Sequence, residues 1–356
     1  MEDKKVVLSV KDLNVKFTLR GQVLHAIRGI SLDVYQGESL AIVGESGSGK
    51  SVFVKCAMGL LDANGYIDGG SILYNGMDLT KFQTDKDWLK IRGKEIAMVF
   101  QDPMTSLNPL KTIGKQIQEA VELHQGLKGK DAYKAVLEVL SDVGIDDPER
   151  RYKQYPHEFS GGMRQRVVIA IAVACRPKIL ICDEPTTALD VTIQAQILEL
   201  IKAMQKKYDL TTIYITHDLG VVANVADRIA VMYAGDIVEL GTCDEVFYDP
   251  RHPYTWALLS SLPQLGTKDE PLYSIQGTPP NLFHEVKGDA FAPRNEHALK
   301  IDFEMEPPFF PVSETHYAKT WLLDPRAPKL EKPEIIQDLH EKIKKMTDKG
   351  GAFHVE

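Results

Sequence analysis

The stretch from residue 44 to residue 51 constrains the fold of this chain more than any other part of its sequence. It reads Gly-Glu-Ser-Gly-Ser-Gly-Lys-Ser and lies between an apolar segment, residues 40–43, and a segment that can form a helix. This spacing is typical of a strand–loop–helix unit whose backbone N–H groups surround phosphate oxygens, with the lysine on the β- and γ-phosphates and the serine hydroxyl on Mg²⁺. The sequence therefore predicts that the chain binds and hydrolyses ATP, with Mg²⁺, at Gly44, Glu45, Ser46, Gly47, Ser48, Gly49, Lys50 and Ser51.

Further segments have the composition of buried strands. Those rich in aliphatic and β-branched residues are 40–43, 179–182, 212–215 and 229–232. Each of the first three precedes loop residues and a helix-capable segment, so we expect an α/β fold with a parallel sheet and chemistry at the carboxyl ends of its strands. Nearer the start, short strands and turns are predicted at 7–10, 15–17 and 30–34, and Asn75-Gly76 predicts a hairpin turn.

Composition also divides the chain into regions. Residues 1–250 are predicted to form one domain, in which a helix-permissive stretch, about 102–165, forms an inserted helical subdomain. After residue 250 proline recurs and the strand–helix alternation stops, which predicts a less regular C-terminal extension over 251–356. In that extension we expect a helix near 333–345 and a small core or interface of four aromatic residues, Phe303, Phe309, Phe310 and Trp321.

Charge and cysteine content argue against several classes of protein. A net charge of -8 argues against a broad nucleic-acid interface, because binding a phosphate backbone needs a basic face. The longest apolar run, 167–175, is far shorter than the roughly 20 residues that span a bilayer, and the charged first five residues do not resemble a signal peptide. The four cysteines are widely spaced, so we expect free thiols in a reducing cytosol at Cys56, Cys175, Cys182 and Cys243.

Two acidic residues follow the predicted strand 179–182. Asp183 is suited to hold Mg²⁺ through water, and Glu184 is placed to polarise an attacking water molecule. In isolation, such a pair is more often the solvated end of a strand. Downstream of a phosphate-binding loop, the catalytic interpretation is favoured.

A third segment, residues 159–166, places a serine and two glycines at the start of a helix. The N-terminal amides and dipole of such a helix can hold an anion. The alternative is an ordinary helix cap without a ligand.

The order of these motifs resembles that of the ATP-binding-cassette (ABC) ATPases. Residues 160–165, Ser-Gly-Gly-Met-Arg-Gln, resemble the signature motif of that family, and they precede the Asp183-Glu184 strand as the family requires. The resemblance implies an α/β P-loop NTPase fold: a RecA-like parallel sheet core, an antiparallel β subdomain, an inserted helical subdomain and, here, a C-terminal extension.

Further site residues are implied by the same resemblance. Gln101 would be the glutamine that senses the γ-phosphate side, Mg²⁺ and the membrane partner, and His217 would be the switch histidine on the γ-phosphate. Residues 188–190 resemble the D-loop, which adds Asp190 to the nucleotide site. Phe17 is the candidate aromatic that stacks on adenine, with a core strand residue as the alternative.

The family pattern also implies partners. In these ATPases two nucleotide-binding domains face each other head to tail, so Ser160, Gly161 and Gly162 would act on ATP held by the partner. Residues 100–109, 251–255, 277–282 and 291–294 resemble the oligopeptide/dipeptide importer branch. That branch implies a second, homologous ATPase as heterodimer partner, two membrane permease subunits, an extracellular peptide-binding protein and a location at the cytoplasmic face of the membrane.

Two other functions remain open from the sequence. One is an importer of nickel or another small solute, because the ATPase does not contact the cargo. The other is a soluble ABC protein acting on ribosomes or nucleic acid, although such proteins usually have tandem cassettes or long coiled-coil insertions.

One departure from the family concerns an iron–sulfur cluster. Many relatives have four cysteines in the extension, whereas these places hold Asp289, Asn295, Asp302 and Thr320 here. No cysteine lies beyond Cys243, and thiolates hold such clusters, so we expect none. Asp289 and Asp302 have carboxylates that could bind a hard cation, but we expect them to be solvated loop residues.

Overall fold

A long β-hairpin comes first in the fold. The computed structural model describes residues 4–187, 189–261, 275–330 and 332–337. The strands of this hairpin, β1 (Val6–Leu19) and β2 (Gln22–Tyr35), replace the several short strands that the sequence predicts. Bulges in β1, such as that between Val10 and Leu13, interrupt the alternation of apolar residues without ending the strand. The predicted turn at Asn75-Gly76 joins β4 (Gly65–Tyr74) to β5 (Met77–Asp78), which complete an antiparallel sheet of order β2-β1-β4-β5.

The larger sheet carries the phosphate-binding loop. Its strands among the described residues are β3 (Ser39–Val43), β6 (Ile96–Val99), β7 (Ile179–Asp183), β8 (Thr211–Thr216), β9 (Arg228–Tyr233), β10 (Asp236–Thr242), β11 (Phe310–Pro311) and β12 (Tyr317–Ala318). These eight strands lie in the order β11-β12-β10-β9-β3-β8-β7-β6. The central strand, β3, is flanked in parallel by β8 and β9, and β7 and β6 continue the parallel pairing. The four predicted buried strands are confirmed.

Helices pack around this sheet. Five α-helices lie in sequence between β6 and β7: α3 (Pro103–Ser106), α4 (Ile113–Gln125), α5 (Gly129–Asp142), α6 (Pro148–Tyr152) and α7 (Gly161–Ala174). The apolar faces of α4, α5 and α7 bury residues at helical spacing, for example Ile117 with Val121 and Val136 with Leu140. The other helices are α1 (Lys50–Ala57), α2 (Asp85–Trp88), α8 (Val191–Tyr208), α9 (Leu219–Val222), α10 (Cys243–Tyr248), α11 (Pro253–Ser260) and α12 (Glu334–Gln337). None of the described helices has both the length and the apolarity that crossing a bilayer requires.

The extension after residue 250 joins the main sheet. Strand β12 pairs with β10, and β11 pairs with β12. The carboxylate of Glu239 on β10 is fully buried, accepts hydrogen bonds from the backbone N–H groups of Arg251 (2.6 Å) and His252 (3.0 Å), and lies 2.7 Å from Nε2 of His316. A buried carboxylate requires such partners, so this cluster ties the extension to the sheet edge.

The expectation of solvated aspartates in the extension is wrong. Asp289 and Asp302 are 6% and 1% exposed. Each carboxylate caps a turn: Asp289 accepts from the N–H of Phe291 (2.9 Å), and Asp302 accepts from the N–H of Leu299 (2.6 Å). Thr320, also buried, accepts from the N–H of Leu322 (3.3 Å). These side chains are buried because they satisfy backbone donors inside a packed extension.

The predicted aromatic core of the extension forms in part. Phe310 packs edge-on against Trp321, with ring centroids 5.9 Å apart, and Phe309 packs against the hydrophobic cluster that includes residues of β1, β2 and β3. Phe303 is 52% exposed and contributes little to this packing. Of the predicted helix near 333–345, α12 is described and buries Ile336, and the positions from 338 onward lie outside the described residues.

All four cysteines are free thiols, as expected. Burial raises the pKa of the Cys56 thiol to about 12 and that of Cys175 to about 11. Thiols held in this protonated form are poor nucleophiles.

The buried Asp289 predicts a pH-dependent stability. Burial, and then the nearby Asp302 carboxylate, raise its pKa to about 7, and its second oxygen has no hydrogen-bond partner. Because the folded pKa lies above the unfolded one, stability falls as pH rises from about 4 to about 7. We expect Asp289→Asn to raise the unfolding free energy by about 2–4 kcal/mol at pH 8 and to leave it nearly unchanged at pH 4. Urea unfolding at both pH values measures this.

The control for that experiment is the exposed substitution Asp146→Asn, which should leave the difference between the two pH values as in the wild type. Equal stability of Asp289→Asn and wild type at pH 8 would contradict the prediction.

Candidate nucleotide-binding site

The loop of residues 44–49 leaves the carboxyl end of β3 and enters α1, as the sequence predicts. Two of its glycines are required by close approaches of other backbone. A Cβ at Gly44 would lie 2.0 Å from the carbonyl oxygen of Met232, and one at Gly49, whose φ is 101°, would lie 2.8 Å from that of Ala26. Any larger side chain would displace the loop from β9 or β2.

Lys50 folds back onto this loop. Its ammonium group donates to the carbonyl oxygens of Gly44 (2.8 Å) and Glu45 (2.9 Å), and the residue is 5% exposed. Burial lowers the pKa of Lys50, while the charges of Glu184 and Asp183 oppose that shift. The buried hydroxyl of Ser48 has no hydrogen-bond partner, so this polar atom is available to a ligand in the loop.

Ser51, in the first turn of α1, contacts Asp183 at the end of β7. The Ser51 hydroxyl donates to Oδ1 of Asp183 over 2.9 Å. Burial raises the pKa of Asp183, and the hydrogen bond from Ser51 counteracts this. A hydroxyl and a carboxylate are hard oxygen ligands, and Mg²⁺ is commonly held by one or two such groups together with substrate phosphates and water. These two residues therefore fit Mg²⁺.

Through its carboxylate, Glu184 contacts side chains that follow three neighbouring strands, β6, β7 and β8. Its carboxylate accepts from Nε2 of Gln101 (3.0 Å), which follows β6, and from the hydroxyl of Thr187 (2.9 Å). Nδ1 of His217, which follows β8, lies 3.3 Å from its other oxygen. Glu184 also has a positive φ of 46°, uncommon for this residue type, and its N–H donates to the carbonyl of Ile215. The predicted trio is thus brought together, and Thr187 is a contact that the sequence did not reveal.

The residues that resemble the signature motif and the D-loop lie apart from the Glu184 cluster. Ser160 caps α7 by accepting from the N–H of Met163 (3.3 Å), and Asp190 caps α8 by accepting from that of Ile193 (3.1 Å). A Cβ at Gly162 would lie 2.8 Å from the Ile193 side chain, so this glycine lets the starts of the two helices approach. Ser160, Gly161, Gly162 and Asp190 do not line the cleft at the phosphate-binding loop.

The cleft itself has a volume of about 1140 Å³. The loop, Gln101, Glu184 and His217 line it. Phe17 lines it too, and the Phe17 ring lies so close to Gly65 that a Cβ there would be 2.5 Å away. The sequence did not reveal that the extension also contributes, through Leu258, Ser261, Ile275, Pro280, Asn281, Leu282 and Phe283.

Comparison with known families matches two parts of the chain. Residues 27–187 match the family described as ABC transporter, and residues 238–301 match the oligopeptide/dipeptide transporter C-terminal region. The oligopeptide transport ATP-binding protein AmiE of Streptococcus pneumoniae is 60% identical over 99% of each chain. The chain belongs to the ABC transporter ATPases, in their oligopeptide/dipeptide branch.

Other relatives of this ABC ATPase agree. The oligopeptide transport ATP-binding protein OppD of Bacillus subtilis is 60% identical over 93% of each chain, and the dipeptide transport protein DppD of Lactococcus lactis is 56% identical over 93% of this chain and 94% of its own. Among solved structures, the ATP-binding cassette MJ0796 with ADP and Pi superposes with a TM-score of 0.59 at 27% identity, covering 66% of this chain and 98% of its own. The structure of cbiO1 from Clostridium perfringens gives 0.60 at 30% identity, covering 69% and 92%. The predicted fold class is confirmed.

Gly44 offers a test of the loop geometry. In Gly44→Ala the new methyl group would collide with the Met232 carbonyl, so the loop must shift, and we expect ATP affinity to fall by about tenfold or more. The matched control is Gly69→Ala, whose Cβ would have its nearest neighbour at 3.9 Å, and which should bind as the wild type does. Titration with a fluorescent ATP analogue measures both. Wild-type affinity in Gly44→Ala would show that the loop tolerates the displacement.

Proposed function

We propose that this ABC ATPase hydrolyses ATP to energise an importer of oligopeptides, bound at the cytoplasmic face of the cell membrane. The observation that carries the proposal is the convergence of Gln101, Glu184 and His217 beside the phosphate-binding loop, within a chain that matches peptide-transport ATP-binding proteins over almost its whole length. The C-terminal match to the oligopeptide/dipeptide transporter region supports a peptide cargo over nickel or another small solute. A net charge of -8 speaks against action on nucleic acid.

Each cluster has a defined part in hydrolysis. The amides of residues 44–49 surround the phosphates, and Lys50 exchanges its two loop carbonyls for the β/γ oxygens. Mg²⁺, when bound, neutralises charge on the phosphates, and the oxygens of Ser51, Asp183 and Gln101 would hold it.

Water activation falls to Glu184. Its carboxylate is oriented by Gln101, Thr187 and His217, so it can accept a proton from a water molecule beside the γ-phosphate. His217, 59% exposed at the side chain, lies at the mouth of the cleft, where it can contact the γ-phosphate. Phe17 also lines the cleft, where its ring would stack on the adenine.

A second ATPase would complete the site. Ser160, Gly161, Gly162 and Asp190 lie outside the cleft of their own chain, which supports a role on nucleotide held by a facing, homologous subunit. The solved MJ0796 cassette is dimeric. In the proposed complex, ATP closes the heterodimer, and the closure moves two permease subunits that receive peptide from an extracellular binding protein.

Two substitutions are expected to affect ATP binding and ATP hydrolysis separately. Glu184→Gln removes the base and keeps the loop, so we expect ATP turnover to fall by about 10²-fold or more, with binding retained and the closed heterodimer accumulating. Lys50→Ala should lose ATP binding itself. The exposed substitution Glu149→Gln serves as control. Phosphate release and nucleotide titration measure these effects, and wild-type turnover in Glu184→Gln would refute its role as base.

The transport role is tested with the complex. We expect the tagged chain, extracted from membranes, to co-purify with two hydrophobic permeases and a homologous ATPase. In liposomes, peptide-loaded binding protein should stimulate ATP hydrolysis by that complex, and nickel or an unrelated solute should not. Recovery of the chain on ribosomes or nucleic acid, without permeases, would overturn the proposal.

A further inference from the structure

Glu45, the second residue of the phosphate-binding loop, forms hydrogen bonds with the C-terminal extension. Its carboxylate receives two hydrogen bonds from the Arg294 guanidinium, Nη1 to Oε2 at 2.6 Å and Nη2 to Oε1 at 3.0 Å. Its N–H donates to the hydroxyl of Tyr254 over 2.7 Å. Its carbonyl accepts from Lys50, the residue that must reach the phosphates. The same carbonyl also accepts from the N–H of Ser48 (3.2 Å). Every polar group of Glu45 is therefore engaged, and two of its four partners, Arg294 and Tyr254, come from beyond residue 250.

Arg294 is itself firmly positioned. Its side chain is 4% exposed, and its remaining donors reach the carbonyls of Gln276 (2.9 Å) and Ile275 (3.3 Å) and the hydroxyl of Tyr233 (3.3 Å). The guanidinium lies over the rings of Tyr233 and Phe291, 5.8 and 5.9 Å from their centroids. The bidentate pair with Glu45 raises the pKa of Arg294, so its charge is permanent. A buried, bidentate and stacked arginine fixes both the distance and the direction of its partner.

The tyrosine that holds the Glu45 N–H belongs to the same packed unit. Tyr254 is fully buried, with its ring 4.5 Å from that of Tyr233 and 5.3 Å from that of Phe291. Tyr233 ends β9, which pairs with the central strand β3. Tyr254 and Phe291 of the extension and Tyr233 of the sheet thus form one aromatic cluster. The hydrogen bond from the Glu45 N–H to Tyr254 connects the loop to this cluster.

The extension also forms a wall of the cleft. Residues 280–283 line it together with Phe17 and Leu24. The carbonyl of Leu282 accepts a hydrogen bond from the N–H of His25 on β2 (2.9 Å), which fastens this wall to the β-hairpin. A nucleotide seated on the phosphate-binding loop would therefore contact residues on both sides of the boundary at 250.

We propose that the C-terminal extension is a working part of the nucleotide site, in which Arg294, through Glu45, positions the phosphate-binding loop while residues 280–283 close one wall of the cleft. Arg294 is a positioning residue: it touches the loop and not the phosphates. It keeps Glu45 in place when Lys50 leaves the Glu45 carbonyl for the phosphate. This role concerns ATP binding by the chain and does not depend on the cargo of the transporter.

A double-mutant cycle on the full-length chain tests the role of Arg294. We expect Arg294→Gln and Glu45→Gln each to weaken ATP binding about tenfold and the double mutant to be no weaker than either. In the assembled complex, KM should rise while kcat at saturating ATP stays within about twofold. Arg294→Lys, which keeps the charge but loses the bidentate geometry, should recover part of the affinity. Arg326→Gln, an exposed arginine of the extension paired with Asp324, is the matched control and should bind ATP normally.

Hydrogen–deuterium exchange adds a readout that a purely structural role would not change. ATP should slow exchange at residues 280–283 and 291–294 in the wild type, and in Arg294→Gln the effect at 291–294 should disappear. Wild-type ATP affinity in a folded Arg294→Gln would overturn the proposal, as would ATP-induced protection confined to residues outside the extension. If Arg294→Gln does not fold, Arg294→Lys replaces it: an ATP affinity equal to that of the wild type in Arg294→Lys would then overturn the proposal.

Discussion

The catalytic arrangement depends on the in-register parallel pairing of the central strands. Val99 of β6 is level with Cys182 of β7, and Asp183 is level with Ile215 of β8. Three segments that are distant in sequence therefore end at the same side of the sheet: β6 leads to Gln101, β7 to Asp183 and Glu184, and β8 to His217. Since side chains alternate between the two faces of a strand, a slip of one residue would turn Asp183 away from Ser51. The backbone hydrogen bond from Glu184 to Ile215 extends this register one residue beyond β7.

The electrostatics of the site depend on that geometry. A lysine as buried as Lys50 is costly unless it is paired. Here two loop carbonyls accept its hydrogen bonds, and Asp183 and Glu184 lie near enough to favour its charged form. Exchange of these carbonyls for phosphate oxygens gives the ammonium a partner of full negative charge. The loop thus provides the ammonium group with two hydrogen bonds that phosphate oxygens can replace.

Local motifs explain which parts could be predicted from the sequence. The phosphate-binding loop and the Asp183-Glu184 pair are contiguous, so their spacing carries their geometry. Glu45 and Arg294 are 249 positions apart, and nothing in the sequence near either residue indicates their pairing. The burial of Asp289 was missed for a related reason: a carboxylate that caps a turn inside a packed region has the same local sequence as one in a solvated loop. The bulges of β1 likewise made one long strand resemble several short ones.

The position of Arg294 follows from how the extension attaches to the sheet. An edge strand such as β10 exposes unpaired backbone groups unless another segment covers it, and β12 provides that cover. The buried Glu239 then fixes the backbone of residues 251 and 252, from which α11 begins and presents Tyr254 to the phosphate-binding loop. From β10 through β9 to β3, adjacent strands connect this anchor to the loop itself. A displacement of Glu45 would therefore disturb its hydrogen bonds to Tyr254 and Arg294, and through them the aromatic cluster beside the end of β9.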